Sequence, residues 1–194
     1  MPITFTDILR PNGEPSFLTG YDPSDATDFL SAVSDNNTAT VATTTADENR
    51  FNELPFEDNP SGTASFASAE SIDQIDFNVT CRCFRGGMNL DVVLADNAGN
   101  YGGFVLSTAD LDFQTLTKSF TVNSAGDPLS TASIKNLNVS SFSAIGQDGG
   151  EGPAFRLIIA EIFITVHSSS VIPTRIIRLA SGAITLDSGK ITVQ

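Results

Sequence analysis

The chain has no tryptophan, two tyrosines, two cysteines and one histidine, and its ten lysines and arginines are outnumbered by 23 aspartates and glutamates. Each shortage narrows what the protein can do. A sandwich that reads sugars by stacking aromatic rings would have only Tyr21 and Tyr101 beyond its phenylalanines, and the fourteen phenylalanines read as core. A net charge of −13 repels phosphate backbones and anionic headgroups, so neither nucleic acid nor a membrane surface is an expected partner. No apolar run approaches the roughly eighteen residues of a spanning helix. The opening Met-Pro-Ile-Thr-Phe-Thr-Asp has neither the basic nor the apolar region of a signal peptide, so the expected product stays inside the cell that makes it until lysis. Zinc wants four ligands, and Cys81, Cys83 and the distant His167 do not supply them. Two residues apart in a strand pattern, the cysteines share a face and read as small buried apolar groups rather than as a disulfide.

What the chain does have is one domain's worth of residues, 194, with charge placed unevenly. Residues 1 to 80 carry two bases against fourteen acids, residues 81 to 170 five against eight, and residues 171 to 194 three against one. A mildly basic tail on an acidic body is suited to docking on an acidic neighbour.

Alternation dominates the sequence. Ile75, Phe77, Val79, Cys81 and Cys83 share one parity and Asp76, Asn78, Thr80 and Arg82 the other, the pattern of a half-buried strand. Leu90, Val92 and Leu94 face inward before a turn at Asp96 to Gly99, and the chain returns through Phe104 to Leu106; a further strand is expected over Thr117 to Val122. Ala154 to His167 is apolar on both parities and reads as a central strand covered on each face. Turn clusters at Asn12-Gly13, at 58–62, at 123–128 and at 147–153 punctuate these runs, which makes an antiparallel sandwich the expected architecture. Ser168-Ser169-Ser170 reads as a linker. The tail beyond it ends in a doubled unit, Ser-Gly-Ala-Ile-Thr-Leu-Asp and Ser-Gly-Lys-Ile-Thr-Val-Gln, each a strand-forming triplet behind a Ser-Gly turn.

Few residues offer chemistry. His167 is the sole candidate base of a nucleophilic triad and reads as a strand-end histidine; no G-x-S-x-G, P-loop or H-E-x-x-H is present. Glu161, the one acid inside an apolar strand, would need a second converging carboxylate to act on a glycosidic bond, and is expected to meet a polar seam or an arginine such as Arg82, Arg85 or Arg156. Asp22, Asp25 and Asp28, like Asp96, Asn97 and Asn100, gather oxygens in a turn. Asx-turn bonding accounts for both groups, so no metal and no cofactor is expected.

Taken in order, "YDPSDATDFLSAVSDNNTATVAT", "IDQIDFNVTCRCFRGGMNLDVVLADNAGNYG", "KSFTVNSAGDPLSTASIKNLNVSSF" and "AFRLIIAEIFITVH" resemble the galactose-binding-like jelly-roll modules in structural proteins of tailed bacteriophages, over Tyr21 to His167. The resemblance implies an all-β, antiparallel jelly-roll β-sandwich at 21–168, with an N-terminal arm at 1–20 and a C-terminal strand-forming arm at 169–194. It further implies a non-enzymatic virion component assembled in the host cytoplasm, foremost a capsid decoration or cement protein. Its partners would be copies of itself, a trimer being the expected state, and other virion proteins such as the major capsid protein. Ile176, Ile177, Leu179, Ile184, Leu186, Ile191 and Val193 are the expected anchors of the C-terminal arm. A tail-fibre or baseplate module binding host glycan through Tyr21 or Tyr101 is the alternative, and a polysaccharide-active enzyme a lower one.

Overall fold

The computed structural model describes residues 2–24, 28–35, 37–44, 49–57, 69, 71–84, 86–96, 99–134, 136–146, 156–171, 175–179, 182–187 and 190–193. The turn clusters expected at 58–62 and 147–153, Asp25, Asn97 and Arg85 lie outside the described residues.

The strands are β1 (Pro2–Leu9), β2 (Phe17–Thr19), β3 (Tyr21–Ser24), β4 (Val41–Thr44), β5 (Asn49–Asn52), β6 (Leu54–Pro55), β7 (Ser71–Cys83) and β8 (Met88–Asp96). They continue with β9 (Gly99–Thr108), β10 (Gln114–Phe120), β11 (Asn138–Gly146), β12 (Leu157–Val171), β13 (Arg175–Leu179), β14 (Gly182–Asp187) and β15 (Lys190–Val193). Two short helices, α1 (Phe29–Ser34) and α2 (Thr131–Ile134), interrupt them. One sheet runs β10-β7-β12-β4-β3 with β1 also paired to β12; the second runs β2-β5-β11-β8-β9 with β6 also on β11. All pairings are antiparallel, and the two sheets pack into a β-sandwich.

Period-two burial makes these strands. On β7 the residues Ile75, Phe77, Val79, Cys81 and Cys83 are buried, and on β8 Met88, Leu90, Val92 and Leu94 meet them from the other sheet. Phe51 and Phe142 stack with ring centroids 4.6 Å apart, and Phe29 joins them at 5.1 Å from Phe51. Complete burial of a side chain that size contributes about 1.5–3 kcal/mol. Phe29 reaches the core because Asp28 caps α1, accepting from the Ser31 amide at 2.7 Å, and the helix buries Phe29, Ala32 and Val33.

β12 is central, between β7 on one side and β4 and β1 on the other. Its two apolar parities have a different cause from cover on both faces. A bulge between Ile159 and Glu161 shifts the phase, so that Leu157 and Ile159 face inward before it and Ile162, Ile164 and Val166 after it. The sequence pattern alone superposes the two phases.

Two expected boundaries move. The segment 1–20, expected as an arm, contributes strands to both sheets: β1 pairs with β12 from Pro2↔Val171 to Leu9↔Ile164, and β2 pairs with β5. Leu9 is fully buried, and the ladder supplies the C-terminal half of β12 with its second neighbour. The serines expected as a linker continue β12 to Val171, since Ser168 and Ser169 lie in register with Phe5 and Thr4 on one side and Ile72 and Ser71 on the other. The strand expected over Thr117 to Val122 runs from Gln114 to Phe120. Beyond Val171, β13, β14 and β15 form a three-stranded sheet of their own, in that order, hydrogen-bonded to neither sheet of the sandwich.

Candidate functional site

The outward face of the first sheet is laced by side-chain hydrogen bonds across β10, β7, β12 and the residues flanking them. Thr80 and Thr115 hydroxyls meet at 2.9 Å. Thr117 donates to the Asn78 carbonyl oxygen at 2.8 Å, and the Asn78 amide donates to Thr165 at 3.1 Å. His167 lies further along: its Nε2 is 2.8 Å from Asp76 Oδ2, while Gln74 donates to the other Asp76 oxygen at 2.7 Å. Burial alone would raise the Asp76 carboxyl. Hydrogen bonds from Ser119, His167 and Gln74, together with the charge of His167, outweigh it and hold the group below the usual carboxylate range. At the end of the row Ser71 and Ser169 are 2.7 Å apart, and both donate to Asp73, at 2.9 and 3.2 Å. A triad needs the imidazole between a hydroxyl and an acid. Among the described residues His167 is bonded to Asp76 and to no serine, and Ser168 turns into the core with its hydroxyl buried.

Glu161 is buried, and its partner is Arg10 rather than Arg82, Arg85 or Arg156. The guanidinium holds the carboxylate and also donates to the Ser34 carbonyl at the end of α1, at 3.3 Å. Arg10 is fixed by its own backbone: its amide donates to Glu57 Oε1 at 3.0 Å and its carbonyl accepts from the Glu57 amide at 2.9 Å. The cluster lies where β12 has left β4 and not yet met β1, a stretch that α1 packs against. This geometry clamps three elements and brings no second carboxylate to Glu161.

The remaining candidates are absorbed by the fold. Tyr21 lies edge-on to Phe29 and Phe51, at 5.4 and 6.0 Å, and Tyr101 edge-on to Phe120 at 4.9 Å. Both are partly buried against the core, which takes their rings from the exposed groove that sugar stacking would need. Burial pushes both phenols up, with the Asp96 carboxylate adding to the effect at Tyr101. Asp28 is committed to its helix cap, and Asp96 to the Gly99 amide at 3.2 Å and the Ser124 hydroxyl at 2.6 Å. Among the described residues no three His, Cys, Asp or Glu side chains converge as a metal site would require. Cys81 and Cys83 are free and buried; burial, then the neighbouring Cys83, pushes the Cys81 thiol up to about 12, and burial also raises Cys83, whose thiol donates to the Thr108 carbonyl at 3.4 Å.

The seven expected arm anchors all lie on β13, β14 and β15, whose backbone alone is described. Directly opposed residues of an antiparallel pair share a face. Ile177 is opposite Ile184 and Ile184 opposite Val193, while Leu186 is opposite Ile191 on one side and Arg175 on the other. Leu179, two residues from Ile177, joins this set, which also takes in Gly182. Ile176 falls on the other face, with Thr185, Thr192, Arg178, Ala183, Asp187 and Lys190. Six of the seven anchors therefore occupy one face of a single sheet.

Three features have no strong signal in the sequence: the Arg10–Glu161 clamp, the strand at 2–9 and the polar lacing of the first sheet. The only hints are that Arg10 is one of two bases among the first 80 residues, and that Thr and Ser recur at outward positions of β7, β10 and β12. No protein-family model matches the chain, and no curated protein matches it either.

Proposed function

We propose that the chain is a non-enzymatic structural component of a bacteriophage virion, of the capsid decoration or cement type. Strand order is the observation that carries this reading. Within the two sheets, β4-β12-β7-β10 faces β5-β11-β8-β9. From β4 onward, leaving aside the two-residue β6, the chain crosses between sheets at every step except the β8-β9 hairpin. That is the order of a double Greek key jelly roll, an architecture used by viral capsid and lectin domains. The segments that resemble phage modules cover the same strands. The sandwich is the rigid body in this reading, and the separate C-terminal sheet is the part offered to neighbours. The candidate catalytic groups support it by their engagement elsewhere: Glu161 in a clamp with Arg10, and His167 with Asp76.

Quantitative mass spectrometry of purified particles tests the proposal. Hundreds of copies per particle are the expected result, and a handful would move the protein to the tail. Absence from particles that otherwise carry their full complement of structural proteins would overturn it.

A further inference from the structure

We infer that the C-terminal sheet joins this chain to further copies of itself, through the face that carries Ile177, Leu179, Ile184, Leu186, Ile191 and Val193. A three-stranded sheet with aliphatic residues on one side and Thr, Arg, Asp and Lys on the other is stable only when the aliphatic side is covered. The sandwich surface is a poor match for it. The outward face of the first sheet is the laced row of Thr, Asn, Gln, Asp, His and Ser described above. The second sheet turns outward Asn89, hydrogen-bonded to Ser107 at 2.8 Å, and, in one register row, Asp91, Ser143 and Arg50. The exposed aliphatics on these faces, Ile8, Val105 and Ile145, sit on three different strands. Laying six aliphatic residues on either face would strip water from polar groups and return little apolar contact.

The same face on another copy is the matching surface: aliphatic throughout its middle, with its single charge, Arg175, at one end of the edge strand β13. A patch that complements itself closes with cyclic symmetry, two sheets about a two-fold axis or three about a three-fold. The acidic bodies, with their fourteen acids in the first 80 residues, then project away from a tail that carries three bases and one acid. This association deepens the assembly reading above but does not depend on a virion: it is a property of the purified chain.

Register supplies the test. Ile184 and Thr185 are neighbours on the middle strand β14 and fall on opposite faces. In light scattering coupled to size exclusion, the full-length chain is expected at two or three times its 20.5 kDa mass. Ile184→Asp is expected to weaken association by a factor on the order of 10² or more, since it places a charge inside the contact, while Thr185→Asp retains it. Far-UV circular dichroism on each variant separates dissociation from unfolding. A monomeric wild-type chain overturns the inference, as does equal retention or equal loss of association in two folded variants. Should Ile184→Asp unfold, Leu186→Asp, on the same face, takes its place. An oligomer that passes this test while the protein is absent from particles would refute the virion role alone.

Discussion

Replacing Arg10 by methionine keeps most of the stem and deletes the guanidinium, leaving Glu161 without its cation. The Glu161 side chain is 9% exposed and that of Arg10 30%. Breaking a fully buried pair by removing one partner costs about 3–5 kcal/mol, because the survivor remains as an uncompensated charge. Water that reaches the partly exposed Arg10 position would also reach the orphaned carboxylate, which lowers the expected loss to about 2–3 kcal/mol. For a chain of this length each kcal/mol moves the melting temperature by about 2–4 °C, so Arg10→Met should melt about 4–12 °C below wild type. Glu161→Leu should cost less, since Arg10 keeps the Ser34 carbonyl and can turn to solvent. The double substitution should recover most of the loss, because two apolar groups replace a pair whose desolvation roughly cancels its attraction. Calorimetric melts of the four proteins at neutral pH close the cycle, with an expected coupling of about 2 kcal/mol. An Arg10→Met melt within about 1 °C of wild type, or single losses that simply add, would show that the clamp is not what joins β1, α1 and β12.

Other consequences are as direct. Phe142→Ala empties the centre of the aromatic stack against Phe51 and should cost about 3–5 kcal/mol by urea titration, whereas Ser143→Ala on the outward face of the same strand should fall within about 0.5 kcal/mol of wild type. Because the Asp76 carboxyl is held below its unfolded value, its stabilisation is present above the ordinary carboxylate range and is lost as pH falls through the folded value. Melting temperatures between pH 6 and pH 3 should therefore drop more steeply for wild type than for Asp76→Asn, and parallel curves would remove the assigned role of Asp76. At pH 8 the Cys81 thiol, raised to about 12, should be ionised in about one molecule in ten thousand. Thiol reagents should thus leave the native protein almost unlabelled and modify both cysteines in denaturant; fast native labelling would contradict the burial.

Local alternation was enough to read β7, β8 and the sandwich class, because on those strands phase and burial stay locked along the run. It failed where the phase slips. β12 changes parity at its bulge, so the pattern Leu157, Ile159, Ile162, Ile164 and Val166 looks like a strand greasy on two sides. It failed again where pairing is distant. Nothing within Pro2–Leu9 announces that its mate lies some 160 residues away, and with only Leu9 fully buried, its short row of threonines resembles a solvated extension. The clamp was hidden for the same reason: Glu161 invites an arginine, and sequence proximity favours Arg156, whereas the course of the sheet brings Arg10. In the C-terminal segment the sequence marks greasy triplets, and only the register sorts Ile176 from its six companions.

The ladder between Pro2–Leu9 and Leu157–Val171 also sets a timetable. During synthesis the first strand to leave the ribosome finds no mate until the last strand of the sandwich has emerged, so its docking closes the domain rather than seeding it. Until then the second flank of the late strand stays open, and a nascent molecule stalled or cut short before residue 164 would carry an orphaned amino-terminal ribbon, free to invade the unfinished sheet of its neighbour.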